Sequence, residues 1–115
     1  MANTFKVITK ANVQSADVIY TVAGSTTTVI LGLILGNINS SSITATVTLG
    51  SDTGSRAGAN NESNETVELI TATPIPGNST LELLSGNKVV METTDTLSVT
   101  GSGAVDVALS IMEIT

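Results

Sequence analysis

The sequence contains no cysteine and no histidine, and these two absences remove much of the chemistry that protein active sites use. Without histidine a Ser-His-Asp triad cannot be built, and without either residue type a zinc site lacks its ordinary ligands. The lack of cysteine also excludes disulfides and a thiol nucleophile. The composition therefore predicts a protein that is not an enzyme and that needs no cofactor.

Charged side chains are scarce, and basic ones especially so. Only 12% of the 115 residues are charged, the net charge is −6, and Lys and Arg together number four. Because nucleic-acid binding requires clustered basic residues, no nucleic-acid partner is expected. Two of the four basic residues, Lys6 and Lys10, lie in an N-terminal segment without acidic residues. That segment is predicted to be either a solvated arm or an arm that docks on an acidic partner.

Aromatic residues and long apolar runs are also rare. Phe5 and Tyr20 are the only aromatic residues, so aliphatic side chains must fill the core. The longest apolar run, residues 29–35, is too short to span a bilayer as a helix. The N-terminus lacks the charged and apolar segments of a signal peptide. We therefore expect no membrane contact and synthesis in a cytoplasm.

What the sequence does contain is an alternation of apolar with polar or small residues. It is clearest in residues 105–111 and in residues 43–49, where Ile43, Ala45 and Val47 alternate with threonines. A period of two is typical of strands with one buried face, and no helical period competes with it. The sequence predicts one all-β domain, a two-sheet sandwich or jelly roll of about eight strands. The predicted strands are residues 17–22, 28–36, 43–49, 66–73, 81–84, 88–92, 96–100 and 104–114.

Residues 1–16 show little periodicity and are predicted to form an extended N-terminal arm, followed by the sandwich domain at 17–115. Phe5 is the only large apolar ring in this arm. We expect it to be buried in a partner surface or beneath the protein's own sheet edge. In the strand at 17–22, Val18, Tyr20 and Val22 are expected to share a face, and a bulge near Met112 is expected in the last strand.

The strand at residues 28–36 is apolar on both faces. Regular alternation places Ile30 and Ile34 on one face with Gly32 and Gly36, opposite a face of Val and Leu side chains. Outer faces of a sandwich should be polar, and contiguous exposed apolar stripes mark interaction sites. We therefore predict a homo-oligomer, with a trimer favoured, or a contact with another subunit. The predicted interface residues are Phe5, Lys6, Lys10, Ile30 and Ile34.

Residues 50–65 form a long polar segment, and connections of this length are usually functional or mobile. The segment contains Asp52-Thr53-Gly54-Ser55, which resembles the active-site string of aspartic proteases but lacks the apolar residues that support it. A simple turn is the preferred interpretation. Its oxygen donors do not have the spacing of an EF-hand, so no metal site is predicted. Those donors are Asp52, Asn60, Asn61, Glu62 and Glu65.

Nearly the whole chain beyond the arm resembles a group of small virion proteins of tailed bacteriophages, especially phages of marine bacteria and cyanobacteria. Three blocks carry the resemblance. The first is Tyr20-Thr21-Val22, Thr26-Thr27-Thr28-Val29-Ile30 and Gly32-Leu33. The second is Pro74-Ile75-Pro76, Leu81-Glu82-Leu83-Leu84 and Lys88-Val89-Val90-Met91-Glu92. The third is Asp95, Leu97, Val99-Thr100 and Val105-Asp106-Val107 with Leu109-Ser110-Ile111-Met112-Glu113-Ile114-Thr115.

This resemblance implies a β-sandwich structural protein of the virion, without enzymatic activity. The favoured role is a capsid decoration (cement) protein that stabilises the head shell, with the major capsid protein or other virion subunits as partners. The resemblance leaves open a neck, tail or fibre-attachment role. A carbohydrate-binding receptor module is a third alternative, disfavoured by the scarcity of aromatic residues.

Overall fold

The computed structural model describes residues 2–51, 65–84 and 86–115. All regular secondary structure in these ranges is β-strand. The described residues contain no helix that is long and apolar enough to cross a membrane. The strands are β1 (Asn3–Val13), β2 (Asp17–Thr21), β3 (Thr27–Asn37), β4 (Ile43–Gly50), β5 (Val67–Ile75), β6 (Ser79–Leu83), β7 (Val89–Met91), β8 (Thr96–Gly101) and β9 (Val105–Ile114).

The strands form two antiparallel sheets. Sheet A has the order β1-β9-β3-β6, and β7 pairs with the first part of β3, where β6 does not reach. Sheet B has the order β2-β8-β4-β5. The predicted all-β sandwich is confirmed.

The core lies between the sheets and is aliphatic. The alternation in β4 predicted its buried face correctly, since Ile43, Ala45 and Val47 are all buried. Each large aliphatic side chain buried in this way contributes about 1.5–3 kcal/mol. The buried apolar residues are Val13, Ile19, Val22, Ile30, Leu33, Leu35, Ile43, Ala45, Val47, Ile75, Met91, Leu97, Val99, Val105, Val107, Leu109 and Ile111.

The predicted N-terminal arm is instead an edge strand of sheet A. Strand β1 pairs with β9 from Asn3↔Ile114 to Lys10↔Val107. The pairing continues beyond both strands, because the backbone N–H groups of Ala2 and Thr115 donate to each other's carbonyl oxygens at 3.2 and 3.0 Å. This strand could not be recognised from the sequence, because nearly all of its side chains are exposed on both faces. A strand without a buried face does not require alternating apolar residues.

A bulge in β3 reverses which side chains face the core. Ile30 lies opposite Ile111, but Gly32 lies opposite Ser110, so Leu31 is an extra residue. Ile30 is therefore fully buried, whereas Ile34 points to the outside. The predicted stripe of Ile30 and Ile34 on one outer face is wrong. The bulge expected near Met112 is also absent, because β9 pairs with β1 residue for residue there.

One smaller expectation also fails. The register of β2 shifts between Val18 and Tyr20, so Ile19 and Val22 are buried while Val18 is half exposed. Residues 52–64 lie outside the described residues, and so do the predictions of a mobile loop, the Asp-Thr-Gly-Ser string and most of the oxygen donors.

One end of the sandwich is closed by the buried side chain of Asn37. Its Nδ2 donates to the carbonyl oxygens of Ser41, Ile75 and Pro76 at 2.9, 3.0 and 3.2 Å. Its Oδ1 accepts from the backbone and side-chain nitrogens of Asn39 at 2.9 and 3.0 Å. This single amide therefore fixes the β3–β4 turn against the end of β5.

Candidate interaction surface

The middle of the outer face of sheet B is polar, and Val18 of the edge strand β2, opposite Ser98, is half exposed on the same face. Thr46 and Thr48 of β4 lie opposite Thr100 and Ser98 of β8, and all four alternate with buried residues. Short hydroxyl side chains therefore cover the middle of this face, as expected where a sandwich meets water.

The outer face of sheet A carries a continuous line of apolar side chains. Phe5 lies opposite Met112, Met112 lies opposite Val29, and Val29 lies opposite Val90. Directly opposed residues of antiparallel strands share a face, with Cβ atoms about 4.5–5.5 Å apart. These four side chains, the apolar row, thus cross β1, β9, β3 and β7. Phe5 and Val90 are 71% and 59% exposed.

Two further exposed apolar side chains lie on the same face. Val7 is opposite Ser110, and Ile34 is opposite Ala108; both β9 residues alternate with buried ones. Val7 is 63% exposed and Ile34 is 45% exposed. We call the row together with these two residues the apolar face, whose members are Phe5, Val7, Val29, Ile34, Val90 and Met112.

Ile34 stands between two open depressions on this face. The larger, of about 370 Å³, is lined by residues of β1, β3 and β9, including Thr9, Gly36 and Asp106. The smaller, of about 180 Å³, is lined by β3 and β6 and includes Gly32 and Glu82. Gly32 and Gly36 flank Ile34 in the same strand and have no side chains that could cover it. A Cβ at Gly32 would meet no atom within 4 Å, so the space beside Ile34 is open. The surface therefore has a projecting apolar side chain with space on both sides.

The structure separates the five predicted interface residues. Phe5 and Ile34 belong to the apolar face, and the high exposure of Phe5 shows that it is not buried beneath the protein's own sheet edge. Ile30 belongs to the core. Lys6 Nζ is 2.7 Å from Glu113 Oε1 and Lys10 Nζ is 2.8 Å from Asp17 Oδ1, so both lysines are paired within the chain.

Sequence reasoning missed four members of the apolar face. Val7 and Met112 were missed because their alignment depends on the pairing of β1 with β9. Val29 was assigned to the buried face, since the bulge at Leu31 was not foreseen. Val90 lies in a three-residue strand that is too short to show which face is buried. The available signal was the spacing of two between Phe5 and Val7.

On the inner side of β1 and β9, a polar cluster joins the two sheets. Tyr20 of sheet B donates its phenolic hydrogen to Glu113 Oε2 of sheet A at 2.5 Å, and its oxygen lies 2.7 Å from Thr28 Oγ1. Lys6 completes the cluster through its ion pair with Glu113.

The environment of this cluster favours a neutral phenol beside an ionised carboxylate. Burial and the hydrogen bond to Glu113 raise the pKa of Tyr20 to about 12. The hydrogen bonds from Lys6 and then Tyr20 lower the pKa of Glu113, against the opposing effect of burial. A phenol with so high a pKa is a poor proton donor near neutral pH. The cluster is therefore a cross-tie, a hydrogen-bonded link between the two sheets.

Within the described ranges, no three acidic residues gather in a way that could hold a metal ion.

No family model matches the chain, and no curated protein matches it. Among solved structures, it is similar to a protein of Bacillus endospore appendages, which form a family of disulfide-linked pili, with 14% identity and a TM-score of 0.41 over 96% of this chain and 85% of that one. It is also similar to a protein of the T13 viral particle of IBDV, with 9% identity and a TM-score of 0.34 over 96% of this chain and 35% of that one.

Proposed function

We propose that this chain is a non-enzymatic structural subunit of a bacteriophage virion, and specifically a capsid decoration protein that stabilises the head shell. The observation that carries the proposal is the contrast between the two outer faces of the sandwich. Sheet A presents the six side chains of the apolar face, whereas the middle of sheet B presents hydroxyl side chains and only its edge strand β2 adds an exposed apolar residue, Val18. Exposed contiguous apolar surface marks interaction sites. In this proposal sheet A docks on the shell and sheet B faces water.

The size of the apolar face favours docking by several copies together. Burying the exposed parts of Phe5, Val7, Ile34 and Val90 contributes roughly 1–2 kcal/mol each. The sum, roughly 4–8 kcal/mol, lies near the low end of the cost of association, about 4–15 kcal/mol. A single copy would therefore bind weakly. Copies joined in an oligomer gain from multivalency, which supports the proposed homotrimer at a symmetric point of the shell.

The virion assignment rests on the resemblance in sequence to small virion proteins of tailed phages. Its three blocks occupy β2 and β3, the end of β5 with β6 and β7, and β8 with β9. They supply many of the buried positions of both sheets, together with Val29, Val90 and Met112 of the apolar face. The proposed partners are accordingly the major capsid protein or other virion subunits, and the proposed location is the virion after synthesis in a host cytoplasm.

Copy number in purified virions tests the proposal. A decoration protein repeats with the shell lattice, so quantitative gels calibrated against the major capsid protein should show hundreds of copies. A neck or tail component forms a closed ring and would be present in about a dozen copies. A low count would overturn the decoration role and support the neck or tail alternative. Absence from the virion would overturn both.

A further inference from the structure

Strand β1 is attached to the described part of the sandwich along one side only, where it pairs with β9. Of its eleven residues, only Val13 is buried and only Ile8 is half-buried. The strand therefore contributes backbone hydrogen bonds to sheet A but almost nothing to the core. Its departure would uncover an edge of β9 while the facing core residues kept their other neighbours.

The charged side chains of β1 form two ion pairs. Lys6 pairs with Glu113 of β9, and Lys10 pairs with Asp17 just beyond the strand. The pair of Lys10 with Asp17 is exposed on both sides, and such pairs contribute little to stability. The side chain of Glu113 is only 13% exposed, so separation of the strand requires that this carboxylate regain a lysine partner.

A hinge lies between the exposed and the anchored part of β1. Val13 is buried, and the carbonyl oxygen of Gln14 accepts from Gly101 N–H at 2.9 Å, so this end is fixed. Immediately before it, the register with β9 shifts between Lys10 and Val13, and Asn12 has a φ of +59°. Asparagine is among the non-glycine residues that adopt this left-handed conformation most often, so these residues form a local turn. Short hinge segments are the places where a terminal strand can exchange between copies.

We propose that residues 3–10 exchange between copies, so that this segment of one chain pairs with β9 of a second copy. The fold itself identifies the occupant, because the same segment lies along β9 within each chain. Every pairing from Asn3↔Ile114 to Lys10↔Val107 can re-form between chains, and so can the ion pair of Lys6 with Glu113. Only the hinge changes conformation.

The exchange would join the apolar faces of neighbouring copies. Phe5 and Val7 of one chain would lie beside Met112 and Ser110 of the next, and the apolar row of each copy would be completed by its neighbour. Exchange around a symmetry axis gives a closed dimer or ring. This inference extends the proposed function by supplying its oligomer, but it does not depend on the virion assignment.

Engineered thiols test the exchange, since the chain has no cysteine of its own. Val7→Cys and Ser110→Cys are made in separate full-length chains, because these residues face each other in neighbouring strands. One variant is isotopically labelled, and the two are mixed, refolded together and oxidised. A disulfide joining residue 7 of one chain to residue 110 of the other, identified by mass spectrometry, is the expected result. Its absence would overturn the proposal.

The matched control uses Thr48→Cys and Ser98→Cys, which face each other on inner strands of sheet B. No cross-chain disulfide is expected for that pair, and equal yields from both pairs would overturn the proposal. A second measurement excludes simple stacking of apolar faces. The Val7→Cys/Ser110→Cys double variant, oxidised at low concentration, holds β1 on its own chain. We expect it to be monomeric by light scattering and to assemble after reduction. Assembly of the oxidised form would show that strand exchange is wrong, whatever the copy number in virions.

Discussion

Tyr20 and Glu113 lie 93 positions apart and on different sheets, yet the phenolic O–H of Tyr20 donates to Glu113 Oε2 at 2.5 Å. The bond crosses from β2 to the penultimate residue of β9, and Lys6 of β1 joins it from the other side of the carboxylate. This contact therefore links the edge strand, the last strand and the opposite sheet. Its two titrating groups make the stability of the sandwich sensitive to pH at both extremes.

Tyr20 should titrate with a pKa near 12, compared with its ordinary value of 10.0. The chain has one tyrosine and no tryptophan, so ultraviolet absorbance of the tyrosinate reports this residue alone. Because the folded-state pKa is raised, the resulting stabilisation is present below pH 10.0 and is lost as the pH rises towards about 12. In Glu113→Gln the pKa should fall but remain above 10.0, since burial persists. A wild-type midpoint near 10.0 would contradict the cross-tie.

Glu113 should make the protein less stable in acid. Its folded-state pKa is lowered from the ordinary 4.5, so its stabilisation is present above pH 4.5 and is lost as the pH falls through the folded-state pKa. Urea unfolding across this range should show a smaller loss in Glu113→Gln. Lys6→Met should reduce the pH dependence more than Tyr20→Phe, because Lys6 is the larger cause of the shift. The reverse order would mean that the ion pair is not formed in solution.

Ile34→Lys should abolish incorporation into virions and leave the subunit folded. Ile34 is 45% exposed on the apolar face, so a lysine there can reach water in the free subunit but not in a docked one. Circular dichroism checks the fold, and gels of purified virions check incorporation. Thr48→Lys, on the polar face of sheet B, is the matched control and should retain both properties. An Ile34→Lys subunit incorporated as well as the wild type would exclude this face from docking.

Ile30→Ala, in the same strand as Ile34, should instead destabilise the folded subunit. Its side chain is fully buried, so truncation should lower the free energy of unfolding by about 2–5 kcal/mol. Denaturant unfolding of the two variants side by side tests the bulge at Leu31. If Ile30→Ala were nearly neutral and Ile34→Lys unfolded the protein, the assignment of faces in β3 would be inverted.

Phe5→Ala should leave the stability of the isolated subunit within about 0.5 kcal/mol of the wild type, because the ring is largely exposed. Incorporation into virions should nevertheless fall, since the ring is the largest side chain of the apolar row. Thermal unfolding and virion gels measure the two effects separately. Unchanged incorporation would remove Phe5 from the docking surface.

Asn37→Ala should destabilise the fold by about 2–4 kcal/mol, because it leaves buried carbonyl oxygens without their donor. Asn78→Gly is a suitable control in the adjoining turn: Asn78 is exposed and has a φ of +58°, which glycine adopts freely. Urea unfolding should separate the two variants clearly. Similar stabilities would mean that the hydrogen bonds of Asn37 contribute little.

The sequence predicted the fold class because buried faces impose alternation, and β4 and β9 show it almost without interruption. It could not predict β1, whose side chains are exposed on both faces and whose position depends on backbone pairing with a strand about a hundred residues away. It also could not predict the bulge at Leu31. Both faces of β3 carry apolar residues, so either phase of the alternation satisfies the pattern.

The candidate surface was predicted in part for the same reason. Phe5 and Ile34 were identified because a large apolar residue stood out in a polar or two-faced segment. Val29, Val90 and Met112 join them only through cross-strand registers, which a linear pattern does not contain. Lys6 and Lys10 looked available to a partner because their acidic neighbours lie in other strands.

The difference between the two broad faces makes the folded subunit an amphiphile on the scale of a whole domain. The sheet B side is covered by hydroxyl groups in its middle, and the sheet A side carries the aliphatic and aromatic side chains of the apolar face. Such a subunit presents its sheet A side to any less polar surface that it meets. The orientation of the subunit is therefore defined by its own fold before any other molecule is bound, and under the proposed docking only encounters through the sheet A side would be productive.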